Sequence, residues 1–369
     1  MKTWALIVER ADLSSTKLVD AAAMRPTSGQ ALLRVERVGL TTNNVTYCAL
    51  GDTLRYWDYF PSQIPGMGHI PLWGYAEVVA TETDVLQRHD RVFGYLPSAS
   101  HLLVTPSPFG ADRFRDHAAH RAGLMPIYND YTVVTGVPRS PERENVTALY
   151  RPLFMTSFAF EAFAAANEWF GAVRLLISSA SSKTGYGIAH LAHRRGGIEI
   201  VGITSPANVA FSEQLGCYDT VITYDDVEAL PTVTTLYADV AGDPGLRRRI
   251  HRHLAGNLTH DAVLGVSHIS SPTSLGIEEL VDPKPTVFGA FDYLLTPAMQ
   301  QEIARRYRSA WDDFQTLLRD NLDIVTAAGP KALEEHWIRL QGGSVDPRQG
   351  VIVTFPNDDA ASAPTTSGS

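Results

Sequence analysis

The chain has 369 residues, a formal net charge of −9 and 19% charged residues, which is ordinary for a soluble globular protein of about two domains. The negative charge argues against a nucleic-acid partner, and no apolar run is long enough to span a bilayer, so we expect no membrane partner. The N-terminus lacks a secretory signal pattern, and the two cysteines, Cys48 and Cys217, argue against a disulfide scaffold. We therefore expect a cytoplasmic protein.

Residues 1–104 are predicted to be rich in β-strands. Short strand-forming segments alternate with Gly, Pro and Asp, which is typical of a small barrel or sandwich. The segments are residues 4–8, 30–38, 76–81, 91–95 and 101–105. Residues 106–150 we interpret as an insertion or long connection near the substrate cleft, although a plain surface excursion explains their composition equally well.

From residue 151 onwards strands and helices alternate, which predicts a parallel doubly wound sheet. Expected helices are 158–170, 185–195, 208–215 and 246–254, and expected strands are 175–177, 198–203, 220–224, 235–240 and 261–266. Helical stretches at 296–322 and 331–340 and a strand at 351–355 follow. Residues 357–369 lack large apolar side chains and are predicted to be disordered.

Residues 175–204 have the pattern of one βαβ unit with a loop of small residues before its helix. Free N–H groups at such a helix N-terminus attract an anion, and in dinucleotide-binding folds that anion is a pyrophosphate. Candidate cofactor-binding residues in this loop are Ser179, Ser181, Ser182, Lys183, Thr184 and Gly185. The usual three-glycine fingerprint is incomplete, so hydroxyls and an ammonium would replace bare backbone. The alternatives are a loop that binds nothing and a Walker P-loop, for which the required glycines are missing.

The chain resembles the medium-chain dehydrogenase/reductase superfamily over residues 1–105 and 151–355. The resemblance is carried by GQALLRVERVGLTTNN, IPLWGYAEVVATETDVLQRHDRVFGYL, ISSASSKTGYGIAHLAHRRGGIEIVGIT and LGCYDTVITYDD. It implies an α/β protein with a GroES-like β-rich domain plus a Rossmann domain built on a doubly wound parallel sheet. The implied boundaries are 1–150 for the substrate domain, 151–290 for the nucleotide domain and 291–356 for a return to the substrate domain.

The chain is most similar to a zinc-free, quinone-reductase-like branch of that superfamily. Thr41, Leu72 and Trp73 stand where zinc-dependent members have ligands, and neither leucine nor tryptophan can bind zinc. The remaining histidine pairs, which lack a completing ligand, are His117/His120, His190/His193 and His251/His253. We therefore expect no metal.

The resemblance implies hydride transfer from a nicotinamide to an activated C=C or C=O of a small-molecule substrate, such as an enone or quinone. Asn43 and Asn44 are candidates to orient a carbonyl, and Tyr47 or Tyr56 to donate a proton. The same aromatic residues are equally compatible with barrel core, and the asparagines with turns. We expect the substrate pocket to lie between the two domains.

Cofactor choice is indicated by the residues after the second strand of the βαβ unit. NAD-preferring sites hold an acidic residue there, whereas this chain has Thr204 and Ser205, whose hydroxyls suit a 2′-phosphate. We therefore predict NADP(H), and Tyr224 matches the family's tyrosine near the adenosine ribose. A non-redox lyase, isomerase or binding protein with a bound or vestigial nucleotide is the alternative. The family's habit also suggests a possible homodimer.

Overall fold

The computed structural model describes residues 3–264, 280, 282–343 and 346–356. The chain divides into two compact units: the first comprises the described residues of Met1–Leu149, Ile324–Val345 and Gly350–Ser369, and the second those of Tyr150–Asp323 and Asp346–Gln349. The predicted disordered tail at 357–369 and the end of the predicted strand 261–266 lie outside the described residues.

The first unit is built on two mainly antiparallel sheets. One has the order β2-β1-β4, and the other has the order β17-β18-β3-β5-β6-β10-β9-β8, with β7 paired to β3. The elements are β1 Trp4–Glu9, β2 Thr16–Asp20, β3 Ala31–Leu40, α1 Thr42–Ala49, β4 Met67–His69, β5 Pro71–Thr81, β6 Arg91–Pro97, β7 His101–Val104, β8 Pro106–Pro108, β9 Arg113–Asp116, β10 Asp130–Val133, β17 Asp323–Ala328, α9 Pro330–Gln341 and β18 Gln349–Thr354.

Residues 106–150 are not a plain surface excursion, because they form strands β8, β9 and β10 and the first part of helix α2. That they are an insertion near the substrate cleft stays a prediction. They add three strands to the larger sheet, where β10 pairs with β6 and β9, and β8 pairs with β9. Phe114 and Tyr131 stack with ring centroids 4.9 Å apart and are fully buried. The strands escape sequence reasoning because each is three or four residues long, and charged residues such as Arg115 and Asp130, which pair at 2.8 Å, interrupt their apolar pattern.

The second unit contains a parallel sheet with strand order β13-β12-β11-β14-β15-β16. Its elements are α2 Pro141–Ala166 from Tyr150 onwards, β11 Arg174–Ser178, α3 Lys183–Arg195, β12 Glu199–Thr204, α4 Val209–Gln214, β13 Thr220–Thr223, β14 Thr235–Asp239, α5 Pro244–Leu254, β15 Leu258–Val263, β16 Thr286–Val287, α6 Ala290–Leu294, α7 Pro297–Glu302 and α8 Arg308–Asn321, with a π-helical turn at Ile303–Tyr307. Numbered from β11, this order is 3-2-1-4-5-6, the order of dinucleotide-binding Rossmann sheets.

Helix α2 begins at Pro141, well before the predicted start at 158. Proline suits the first turn of a helix because its missing N–H would have no partner there, and Glu142 and Glu144 complement the positive end of the helix dipole. The predicted return from residue 291 instead begins at 324. Residues 291–323 belong to the second unit because the α8 aromatics pack on α2, with Phe314 4.7 Å from Phe154 between ring centroids.

Candidate functional site

The strand order of the parallel sheet reverses between β11 and β14, and a buried serine ties the two strand ends together. The Ser178 hydroxyl donates to Asp239 Oδ1 at 3.0 Å and accepts from the N–H groups of Val240 and Ala241, each at 3.0 Å. A hydroxyl has one donor and two acceptor positions, so all three are used. Ser178 therefore fixes the turn after β14 beside the turn after β11.

A cavity of about 510 Å³ opens at this reversal point. It is lined by Ser179, Tyr224, Val240, Ala241, Asp243, Gly245, Leu246 and Arg249. Ligands of doubly wound sheets bind at such switch points, beyond the carboxyl ends of the strands. The lining combines apolar side chains with hydroxyl, carboxylate and guanidinium groups, as small-molecule sites do.

Arg249 carries the positive charge of the cavity wall. Its Nη1 donates to the Tyr224 carbonyl at 2.9 Å, while Nε and Nη2 donate to the two oxygens of Glu228 at 2.7 and 2.5 Å. This bidentate pairing lowers the pKa of Glu228 to about 2. Asp243 has a structural role: its carboxylate caps α5 by accepting the Leu246 N–H at 2.8 Å.

The predicted nucleotide loop forms a tight turn from β11 into α3. Ser179 adopts a left-handed backbone conformation with φ 53°, and its carbonyl lies against Gly185, where an added Cβ would be 2.6 Å from that oxygen. Ser182 caps the helix by accepting the Gly185 N–H at 3.1 Å. Only glycine fits position 185 without moving the loop backbone.

The predicted cofactor-binding residues divide into two groups. Ser179 and Tyr224 line the cavity. Burial raises the pKa of Tyr224, and hydrogen bonds with Ser179 oppose that rise.

The other predicted residues contact protein groups instead. Ser181 accepts from the Thr204 hydroxyl and the Asn208 amide, both at 3.1 Å, and Thr204 is buried. The Lys183 ammonium donates to the Gln349 carbonyl at 3.3 Å and lies 5.3 Å from the Tyr150 ring centroid. Burial lowers the pKa of Lys183 to about 8. Ser205 follows β12 and is half-buried, and the Thr184 carbonyl accepts from Ser157 Oγ at 3.0 Å.

In the first unit, Asn43 and Asn44 lie on helix α1 and not in a turn. Asn44 is buried; its amide oxygen accepts the Thr41 N–H at 2.6 Å, and its amide nitrogen donates to the Pro71 carbonyl at 2.8 Å. These bonds cap α1 and tie it to β5. Asn43 is half-buried and hydrogen-bonds to Tyr47.

Tyr47 and Tyr56 belong to a buried group of five tyrosines that we call the tyrosine cluster: Tyr47, Tyr56, Tyr59, Tyr95 and Tyr128. The Tyr47 hydroxyl accepts from Trp73 Nε1 at 3.1 Å, and the hydroxyls of Tyr56 and Tyr128 are 3.1 Å apart. Burial raises the pKa of Tyr47 to about 12 and raises that of Tyr56 further. Both phenols therefore keep their protons at neutral pH.

The residues predicted to stand where zinc-dependent dehydrogenases have their ligands have structural roles here. Thr41 is the N-cap residue of α1, Leu72 is buried, and Trp73 donates to Tyr47. His190 and His251 pair with Asp313 and Asp261. Within residues 3–264, 280, 282–343 and 346–356, no three His, Cys, Asp or Glu side chains are grouped so that they could hold a metal ion. Nor does this part of the chain contain a helix with the length and apolar character needed to cross a bilayer.

The model of a family described as protein of unknown function, DUF2855, matches residues 38–346. The chain belongs to that family. No curated protein is detectably similar to it in sequence.

Solved structures resemble the chain over nearly its whole length. The CurK enoyl reductase has a TM-score of 0.60 at 15% identity, covering 96% of this chain and 100% of its own. CurA from Vibrio vulnificus, in complex with NADPH, has 0.60 at 12%, covering 96% and 99%. The quinone oxidoreductase from Coxiella burnetii has 0.52 at 14%, covering 96% and 100%. At such identities the likeness establishes the fold alone, so the predicted α/β fold, with a β-rich domain and a Rossmann domain, is confirmed.

Sequence reasoning missed four residues around the cavity: Ser178, Asp239, Asp243 and Arg249. Asp243 followed by Pro244 was a readable helix-start signal, since aspartate and proline are favoured at the cap and first position. Arg249 gave no usable signal. It ends the run Arg247–Arg249, in which the first arginine is fully buried, the second is exposed and the third lines the cavity.

Proposed function

We propose that the protein is an NADPH-dependent oxidoreductase that reduces an activated C=C or C=O of a small molecule. The observation that carries the proposal is the cavity at the point where the strand order reverses between β11 and β14. Dinucleotides bind at this point in sheets of the same order. The structurally similar CurA from Vibrio vulnificus is described in complex with NADPH, which supports the choice of ligand.

The residues present fit a dinucleotide. Gly185, in the first turn of α3, has no side chain to collide with the Ser179 carbonyl, and the N-terminus of α3 lies at the end of the turn after β11. Ser179 and the first turn of α3 would hold the pyrophosphate, and Tyr224, Asp243 and Arg249 would surround the adenosine. When bound, the cofactor supplies a hydride.

NADPH is favoured over NADH by charge. No acidic side chain follows β12 before Glu213, so nothing there would repel a 2′-phosphate. Arg249 adds a cation to the cavity wall.

The substrate class is supported by names of structural neighbours, an enoyl reductase and a quinone oxidoreductase. Reduction of a conjugated C=C or C=O needs a group that orients the carbonyl and a proton source. Asn43 is half-buried and hydrogen-bonds to Tyr47, which is held protonated. We therefore assign carbonyl orientation to Asn43 and protonation to Tyr47 or Tyr56. Asn44, whose amide already makes two bonds within the protein, would position α1.

A non-redox enzyme or binding protein is the second candidate. It is favoured by one observation: Ser181, Thr204 and Lys183, which were expected to meet phosphates, bond to other protein groups. A site that had lost its cofactor would show such internal pairing.

Calorimetric titration with NADPH and NADH tests the proposal, followed by a screen for NADPH consumption against enones, quinones and aldehydes. We expect binding of NADPH and turnover with at least one electrophile. Absence of binding to either nucleotide contradicts the proposal, and binding without turnover across the panel favours the second candidate.

A further inference from the structure

We infer that Arg249 and Glu228 together set the preference for NADPH over NADH, with Arg249 shared between Glu228 and the 2′-phosphate. This inference rests on the proposed function. It assigns the binding of the 2′-phosphate to helix α5 and the turn after β13. The residues directly after β12, where the sequence predicts it, contribute only the absence of a carboxylate.

The argument begins with the need for a cation. A phosphate monoester carries a charge of about −1.5 to −2 at neutral pH, and residues 204–210 contain no lysine or arginine. Lys183 does not line the cavity, and its ammonium faces the Gln349 carbonyl and the Tyr150 ring. Arg249 does line the cavity, next to Tyr224 at the end of β13.

Arg249 also has donors to spare. A guanidinium has five N–H groups. Three of them are used: one on Nη1 donates to the Tyr224 carbonyl, and one each on Nε and Nη2 donate to the Glu228 carboxylate. Among the described residues, the second N–H on each of Nη1 and Nη2 has no acceptor. The side chain is 34% exposed, so these donors can reach a phosphate while the guanidinium stays clamped by Glu228.

Glu228 has two opposing effects in this arrangement. Its bidentate contact holds the guanidinium in place, which favours phosphate binding. Its negative charge, however, offsets the charge of Arg249 and repels a phosphate dianion. Replacing the carboxylate by an amide removes the repulsion and keeps an oxygen that can accept from Arg249.

The test is calorimetric titration of four proteins with NADPH and NADH: wild type, Arg249→Ala, Glu228→Gln and Arg252→Ala. Arg252 is exposed on the same helix and does not line the cavity, so it controls for loss of one positive charge. We expect Arg249→Ala to weaken NADPH binding by roughly 10-fold or more and NADH binding by less than about 3-fold. Glu228→Gln should strengthen NADPH binding by about 2- to 5-fold without changing NADH binding.

An equal loss for both cofactors in Arg249→Ala, or no loss for either, overturns the inference. Unchanged or weaker NADPH binding in Glu228→Gln overturns the role given to Glu228. Thermal unfolding of each variant shows that the comparison is between folded proteins. If the wild type binds neither cofactor, the proposed function fails and the inference fails with it; if the wild type binds NADPH and Arg249→Ala binds it equally well, only the inference fails.

Discussion

Ser178 joins two strand ends with a single side chain. Its hydroxyl is fully buried, and so is the Asp239 carboxylate to which it donates. Burial raises the pKa of Asp239, whereas the Arg247 guanidinium and the Gly242 N–H oppose that rise. The position of the turn that forms one wall of the cavity thus depends on a small buried polar network.

Removing the Ser178 hydroxyl should destabilise the protein by about 2–4 kcal/mol, because two part-buried N–H groups would lose their acceptor and the buried Asp239 carboxylate would lose a donor. Urea unfolding of Ser178→Ala measures the loss. Ser212→Ala is the matched control, since Ser212 is equally buried but its hydroxyl bonds, among the residues the structure describes, only to the Asn208 carbonyl. Equal losses in the two variants would contradict the role given to Ser178.

The lowered pKa of Lys183 makes the stability of the protein depend on pH. Its pKa falls from 10.5 to about 8 in the folded protein, so the unfolded chain binds more protons between these values. The free-energy cost of burying the charged Lys183 ammonium is fully present below about pH 8. It disappears as the pH rises towards 10.5, where the unfolded chain also loses the proton. Lys183→Met should therefore be more stable than wild type at neutral pH, by on the order of 1 kcal/mol, with the gap closing near pH 10. Urea unfolding across this range checks the prediction, and a gap that does not shrink would refute it.

At the scale of elements, the turn from β11 into α3 depends on the missing side chain at Gly185. A Cβ there would meet a backbone oxygen, which cannot rotate away. Gly185→Ala should therefore shift the loop and weaken NADPH binding by roughly 10-fold or more. Calorimetry measures the effect, and Gly256→Ala, which has open space around it, is the control. NADPH binding that is equal in both variants would show that the turn does not hold the cofactor.

Helix α1 and the turn after it supply the proposed proton donors. Tyr47→Phe and Tyr56→Phe should preserve the fold and cofactor binding, and one of them should reduce turnover by roughly 10²–10⁴-fold. Tyr59→Phe controls for loss of a buried hydroxyl in the same cluster, since the Tyr59 hydroxyl donates to the Met125 carbonyl. Steady-state rates on a confirmed substrate decide the matter. If neither variant slows turnover, the proton comes from solvent or from another residue.

At the scale of the whole molecule, the parallel sheet was predictable because its signals are local. Helix α3 was expected over 185–195 and spans Lys183–Arg195, with Ser182 as its cap. Strands β8–β10 were not predictable, since their burial depends on pairing with β6, which is distant in the sequence. Apolar periodicity cannot reveal a strand of three or four residues that carries charges.

The sequence predicts where in the parallel sheet the candidate site lies, but only some of the residues that line it. Ser179 and Tyr224 line the cavity, as a loop after the first strand and a tyrosine after the third should. The orientations of the Lys183 and Ser181 side chains depend on hydrogen bonds with Gln349 and Asn208. These residues are far away in the sequence and come into contact only in the folded chain. The position of Arg249 in the cavity wall likewise depends on contacts that form only on folding, those with Tyr224 and Glu228.

The most direct test of the central claim is a crystal structure of the protein grown with NADPH. We expect electron density for the cofactor along the turn from Ser179 to Gly185, with the adenosine in the cavity beside Tyr224 and Arg249. A structure in which NADPH is bound elsewhere, or in which that cavity stays empty at saturating NADPH, would contradict the account.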